Sequence, residues 1–442
     1  MVRRSGSLNY ISWPVTLAVA FLASTAFPST AHCAPGNLDP TFGAAGKVVG
    51  PSGRAENVAI QNDGDTVLTG LDANQEGELL LRLNPDGSRD TSFGKDGEVT
   101  NPAAGRGFSA VILPSDAAIV AAGATPTEFS LAKYKPNGSL DSSFGVGGLV
   151  LHRVSGHPFG YGTSIATQSS GKYVVAGTDS TNGTAENNEL ILMRFDTDGS
   201  LDTTFGTNGV VKTTLGNSIA RASAIAIQSD DGIVIGGMTG TAACGEFVVA
   251  RFLADGTADA SFGTGGASVV QFAAHECEYA RAVAIDGDGQ IVAAGSRQYS
   301  ISNAFYVARL NKTDGALDPS FNGTGKLSFG VGGLDAHPNA IAIESAGDTV
   351  GDIVVAGYSA GPDRAGTAFK IARVLPSGSL DLTFGQSGIV STQFVEGPFD
   401  ILRYDAANGV ALQSDGKIVA GGNAFALDSG VRFAVARYLV EP

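Results

Sequence analysis

Seven times along this 442-residue chain an aspartate is followed three positions later by phenylalanine, and six of those phenylalanines are followed by glycine. The segments are Asp39-Pro-Thr-Phe-Gly43, Asp90-Thr-Ser-Phe-Gly94, Asp141-Ser-Ser-Phe-Gly145, Asp202-Thr-Thr-Phe-Gly206, Asp259-Ala-Ser-Phe-Gly263, Asp318-Pro-Ser-Phe-Asn322 and Asp381-Leu-Thr-Phe-Gly385. Successive aspartates are 51, 51, 61, 57, 59 and 63 residues apart. A near-constant period of this size marks a repeat architecture and overrides the two or three ordinary domains that length alone suggests.

Three apolar segments recur between the corners. The first alternates, as in Ala224-Ile-Ala-Ile-Gln228 and Ala340-Ile-Ala-Ile-Glu344. The second follows a tight turn, as in Gly416-Lys-Ile-Val-Ala-Gly421. The third ends in a basic residue and a large apolar one: Arg82-Leu83, Lys133-Tyr134, Arg194-Phe195, Arg251-Phe252, Arg309-Leu310, Arg373-Val374 and Arg437-Tyr438. After each corner comes a short run such as Gly209-Val-Val211. Period-2 alternation, β-branched residues and Gly/Asp/Asn turns make these four short strands per repeat. Ser414-Asp-Gly416 and Asp286-Gly-Asp-Gly289 supply the positive φ of tight hairpins.

Seven four-stranded units predict an all-β, seven-bladed β-propeller of antiparallel blades; a linear β-solenoid is the alternative. The blades fall at about 57–100, 110–152, 163–213, 223–271, 281–329, 339–395 and 408–440 plus 38–50. The chain opens on a corner and one strand, Asp39 to Val49, and its last three strands run from Val410 to Tyr438. With the alternating strand innermost, the N-terminal strand completes the last blade and hides two sheet edges. Short hairpins and corners then share one face. Long, dissimilar loops share the other: Asp72–Glu78, Thr178–Asn188, Thr239–Glu246, Ser359–Thr367 and Glu396–Asn408. Varied loops on a regular scaffold are where binding sites are commonly built.

Arg3 and Arg4, an apolar stretch from Val15 to Ala26 and the small residues Ser29-Thr30-Ala31 read as a secretory signal peptide over 1–31, followed by a short linker over 32–37. The apolar run is short for a membrane span, and His32 before Cys33 fits a lipoprotein cleavage box poorly. The expected location is therefore periplasmic or extracellular, as a monomer without membrane insertion. Net charge is −15, becoming about −17 without the leader arginines, so nucleic acid is not an expected partner.

The pattern Gln-x-Asp-Gly-Lys-Ile-Val-x-x-Gly, Ala-Arg-Tyr and Asp-Gly-Ser-Leu-Asp-x-x-Phe-Gly, carried by Val410–Gly422, Ala436–Tyr438 and Asp198–Gly206, resembles the delta-60 repeat. The resemblance covers nearly everything after the leader. It implies a bacterial exported β-propeller and carries over no activity and no catalytic residue. Pro114-Ser-Asp-Ala117 and the enlarged turn from Ser345 to Asp352 depart from the pattern.

Two sets of residues are candidates for function. Cys244 and Cys277 lie 33 residues apart on loops expected on one face. In an exported protein they suit a disulfide; free thiols or a metal site with His275 are the other readings. Upstream of each innermost strand stand Arg54, Arg106, Tyr161, Arg221, Arg281, His337 and Arg403. A ring of these at the channel mouth would suit a carboxylate or phosphate ligand. The competing expectation is local pairing with Glu56, Glu278 and Asp400. Asp196-Thr-Asp-Gly199 and Asp286-Gly-Asp-Gly289 lack the following glutamate of a calcium loop and read as hairpins.

No hydrolase elbow, zinc-protease helix or P-loop occurs, so no catalytic residue, metal or cofactor is assigned. Trp13, the sole tryptophan, lies in the leader, which argues against sugar-stacking platforms. The sequence therefore favours a binding scaffold for a protein or an anionic small molecule. A hydrolase or lyase at the channel mouth and a purely structural surface protein are the alternatives.

Overall fold

The computed structural model describes residues 34–113, 117–154, 159–180, 188–217, 219–241, 243–274, 276–297, 304–345, 349–361, 366–394, 404–426 and 430–440; the side chains of 159–163, 180 and 426 are not among what is described. The expected leader, Arg403, His275 and Asp400 lie outside these residues, as do parts of four of the loops expected to vary.

Seven antiparallel blades of four strands carry the chain, and a single strand, Lys47–Ile60, belongs to two of them. Its first part pairs with the last long strand, Gly430–Tyr438, setting Lys47 opposite Ala436 and Val49 opposite Ala434. Its second part pairs with Thr66–Asp72 as the innermost strand of blade 1. The N-terminal strand thus closes the last blade, and two edges that would otherwise template aggregation are removed.

The innermost strands begin two to five residues before the blade bounds expected from the sequence: Arg106–Ile112, Phe159–Thr167, Ile219–Ile227, Glu278–Ile285, Leu334–Ile343 and Ala406–Leu412. A β-bulge interrupts each one, so the period-2 pattern is clean only beyond the bulge.

Apolar residues of facing blades form seven clusters, one between each neighbouring pair, including blade 7 against blade 1. That seventh interface is what an open stack lacks. The corner phenylalanines Phe42, Phe93, Phe144, Phe205, Phe262, Phe321 and Phe384 are buried, one in each cluster.

The corner works the same way seven times. One aspartate oxygen accepts from the hydroxyl two residues on, at 2.6–2.7 Å, and from that residue's backbone amide. The other oxygen takes the basic residue of the third strand: Arg82–Asp90, Lys133–Asp141, Arg194–Asp202, Arg251–Asp259, Arg309–Asp318, Arg373–Asp381 and Arg437–Asp39. In five blades the guanidinium also covers the corner phenylalanine, with its carbon 4.5–5.1 Å from the ring centre. The repeated Asp and Arg are therefore structural. Among the described residues no helix is long and apolar enough to cross a membrane.

Candidate functional site at the channel mouth

The bulges decide which side chains reach the central channel. Each adds one residue to an innermost strand: Glu56, Phe108, Thr163, Ser223, Arg281, Asn339 and Asn408 in blades 1 to 7. Glu56, Phe108, Ser223, Arg281, Asn339 and Asn408 line a throat of about 300 Å³. The second strand makes room for the bulge with glycine. A Cβ on Gly70, Gly123, Gly237, Gly295 or Gly357 would stand 2.0 Å from the carbonyl oxygen of Arg54, Arg106, Arg221, Tyr279 or His337, and one on Gly422 would stand 1.9 Å from that of Ala406. No side chain fits at such a distance, so the glycine recurs because the bulge recurs.

The residues expected to form one ring fall in two registers. Arg54, Arg106, Tyr161, Arg221 and His337 precede their bulges by two positions. In blade 5 that place belongs to Tyr279, and Arg281 is the bulge residue itself. In blade 7 it belongs to Ala406.

Only part of the set converges. Above the throat lies a cavity of about 960 Å³, which takes Arg54 and Arg281 from it, together with Glu56, Asp72, Asp335, Tyr279, Tyr358, Tyr404, Asn339, Asn408 and Asn423. Arg106 turns instead to the Gln75 carbonyl at 3.0 Å, and Arg221 is half-buried elsewhere on its strand, opposite Met238. Arg54 pairs with Glu56 at 2.8 Å, the local pairing that the sequence offered as the competing expectation. Glu278 accepts the amides of Phe272 and Ala273.

Arg281 differs from every arginine at the corners. Its guanidinium packs over the Tyr279 ring, 4.5 Å from the centre, and donates to the Tyr279 hydroxyl and, at 3.0 Å, to Asn339 Oδ1. Its Nε is buried with no hydrogen-bond partner, and no carboxylate among the described residues forms an ion pair with it. Burial pulls its pKa down, while Tyr358 and Asp335 pull the other way. In the same cavity Glu56 is pushed up to about 7 by burial, against the pull of Arg54, and burial also raises the Tyr358 hydroxyl.

A hydroxyl–imidazole–carboxylate chain runs beside the cavity and was not legible in the sequence. Ser296 Oγ lies 2.9 Å from His337 Nδ1, and His337 Nε2 lies 3.0 Å from Asp335 Oδ1. Its order is inverted for nucleophilic catalysis. Ser296 is fully buried and His337 is 8% exposed, whereas the Asp335 side chain is 54% exposed. Burial and the Arg281 charge lower the His337 pKa, so a neutral ring holds the aspartate at the mouth. Among the described residues no group of three or more His, Cys, Asp or Glu side chains is placed to hold a metal.

Cys244 and Cys277 are joined in a disulfide, Cα–Cα 4.9 Å. It ties the loop between the second and third strands of blade 4 to the segment leading into blade 5, whose bulge presents Arg281.

Seven segments of the chain, residues 61–93, 118–144, 168–205, 228–262, 287–321, 351–384 and 413–440, match one family model, described as a domain of unknown function (DUF5122) beta-propeller, and together they make up more than half of the chain. No curated protein matches by sequence. Among solved structures, the Dos1 propeller is 14% identical, with 90% of this chain and 95% of that chain covered and a TM-score of 0.46. The polysaccharide lyase Uly1 is 10% identical, with 90% and 92% covered and a TM-score of 0.45. The extracellular domain of a one-component system from B. thetaiotaomicron is 12% identical, with a TM-score of 0.43; 90% of this chain is covered, but only 39% of that chain. Likenesses this distant carry no argument about activity.

Proposed function

The chain belongs to the DUF5122 beta-propeller family, whose description names no activity, and we propose that it is an exported binding module that takes a small carboxylate-bearing ligand at the channel mouth, on the face of the variable loops. The observation that carries this reading is Arg281: a guanidinium on the wall of a 960 Å³ cavity, with a buried, unpartnered Nε and no direct ion pair among the described residues. A buried donor without a partner costs about 1–3 kcal/mol, more when charged, and a ligand carboxylate would recover that cost with charge-assisted bonds. Tyr279, Tyr358 and the amides of Asn339, Asn408 and Asn423 supply the mixed apolar and polar lining typical of ligand pockets.

Export belongs to the same proposal. It is supported by the leader-like residues 1–31, by the resemblance to delta-60 repeats and by the disulfide, which persists in oxidising compartments. The hydrolase alternative gains nothing from Ser296, which no substrate in the cavity could reach.

Isothermal titration with succinate, galacturonate, inorganic phosphate and glucose tests the binding. A carboxylate that binds the native protein and weakens by about tenfold or more in Arg281→Met, with the melting transition retained, is the expected result. Binding by no carboxylate, or equal binding by the variant, overturns the reading.

A further inference from the structure

Two opposite charges at the mouth, Arg281 and Asp335, act on each other through space but make no direct ion pair with an opposite charge among the described residues, apart from the His337 contact to Asp335. Arg54 and Glu56 satisfy one another. Arg281 has a tyrosine hydroxyl and an amide but no anion. Asp335 has only His337, whose neutral ring donates one hydrogen bond and offers no compensating charge.

Asp335 is also set in place at some cost. Its φ is +54°, in the left-handed region that a non-glycine residue adopts at a penalty. The hydrogen-bonded chain behind it runs inward to a fully buried serine. An exposed aspartate that served only solubility would need neither the strained backbone nor a buried imidazole to aim it. A buried hydrogen-bonded chain behind a carboxylate is what holds it in one orientation for binding. Asp335 and Asn339 lie on one strand, and Asn339 accepts a hydrogen bond from Arg281, so the two unpaired charges stand on adjoining parts of one wall. Tyr358 on the next strand feels both of them.

We infer that the mouth is built for a zwitterion, a small molecule of the amino-acid or short-peptide class, with its carboxylate on Arg281 and its ammonium group on Asp335. This rests on the carboxylate reading above and adds the second charge. Electrostatic complementarity favours a ligand that neutralises both wall charges over one that neutralises only the cation, because a simple dianion would bring its second charge to an aspartate.

The test changes the ligand, so it does not depend on a variant folding. Glycine, glycylglycine and triglycine carry the same two charges at increasing separation. Each is titrated into the native protein beside its N-acetyl form, which lacks the cation, and its C-terminal amide, which lacks the anion. The expected result is that one of the three zwitterions binds and that acetylation and amidation each weaken it by about tenfold or more. Asp335→Asn, which keeps a residue tolerant of positive φ, is expected to bind the zwitterion no better than its acetylated form, whose affinity it leaves unchanged. An acetylated peptide that binds as tightly as the free one overturns the zwitterion and leaves the carboxylate site standing. Binding of succinate with no binding of any of the three zwitterions has the same consequence. Binding of neither removes both.

Discussion

Arg437 Nε donates to Asp39 Oδ2 at 2.9 Å, joining two residues 398 positions apart. The same pairing, basic third-strand residue to corner aspartate, is made within six other repeats from residues only eight or nine apart. In the last blade it can form only when the two ends of the chain meet. The corner that holds each blade together locally thus serves, once, as the clasp of the ring. Both partners are buried, at 2% and 4% exposure. Removing one member of such a pair strands a charge, at about 3–5 kcal/mol. Asp39→Ala is expected to lower stability by that order in urea melts. Asp141→Ala, whose half-buried carboxylate meets a lysine at 3.5 Å, is expected to cost clearly less.

Glu344 is expected to make stability fall as pH rises. In blades 1, 3, 4 and 7 its place is taken by Gln61, Gln168, Gln228 and Gln413. Each of these accepts from the blade's arginine and donates its amide to a carbonyl of the next blade. Glu344 has no amide to donate, both its oxygens are buried without a hydrogen bond among the described residues, and Arg373 is 3.9 Å away. Burial pushes its pKa up to about 7, with Thr349 and Arg373 opposing and Asp352 and Asp381 adding to the rise. The folded state therefore binds this proton more tightly than the unfolded state, whose pKa is near 4.3. The penalty for ionising Glu344 is absent below about pH 4 and fully present above about pH 7. Glu344→Gln should be more stable than the native protein at pH 8, and the difference should shrink towards pH 4.5 in chemical melts. Parallel curves for the two proteins would contradict this.

The disulfide between Cys244 and Cys277 closes a loop of 33 residues, which predicts about 3–4 kcal/mol of stabilisation. The Cys244→Ser, Cys277→Ser double variant should melt lower under oxidising conditions and match the native protein in the presence of reductant. Unequal melting under reductant would point to effects of the serines themselves.

Gly295 is opposed by the Tyr279 carbonyl, 2.0 Å from where a Cβ would sit. Gly295→Ala has to push the blade 5 bulge outward, at a cost of about 1–3 kcal/mol. Because Arg281 is the bulge residue, the variant should also displace its guanidinium from Asn339. A crystal structure with the Arg281–Asn339 bond intact would show that the glycine is not what sets the bulge.

What could be read from the sequence follows from how often each physical need repeats. The Asp-x-Ser/Thr-Phe corner and its basic third-strand partner, arginine in six blades and lysine in one, make the same pairing in every blade, so they recur at a fixed offset and announce both the fold and its closure. The site has no such repetition. The bulge inserts one residue into each innermost strand, and this hid the fact that Arg281 stands two positions past the place held by Arg54 and His337 in their blades. Tyr358 and Asn423 reach the cavity from second strands, where nothing in the alternation sets them apart. Asp335 gains meaning only from Ser296 and His337 behind it, a relation that joins two strands of neighbouring blades.

The most direct measurement is a crystal structure of the native protein with the tightest-binding carboxylate from the titrations. The expected density places a ligand carboxylate oxygen within hydrogen-bond distance of Arg281 Nε, over the throat lined by Glu56, Asn339 and Asn408. A ligand seated away from the mouth, with Arg281 Nε still unpartnered, would contradict the assignment of this cavity as the binding site.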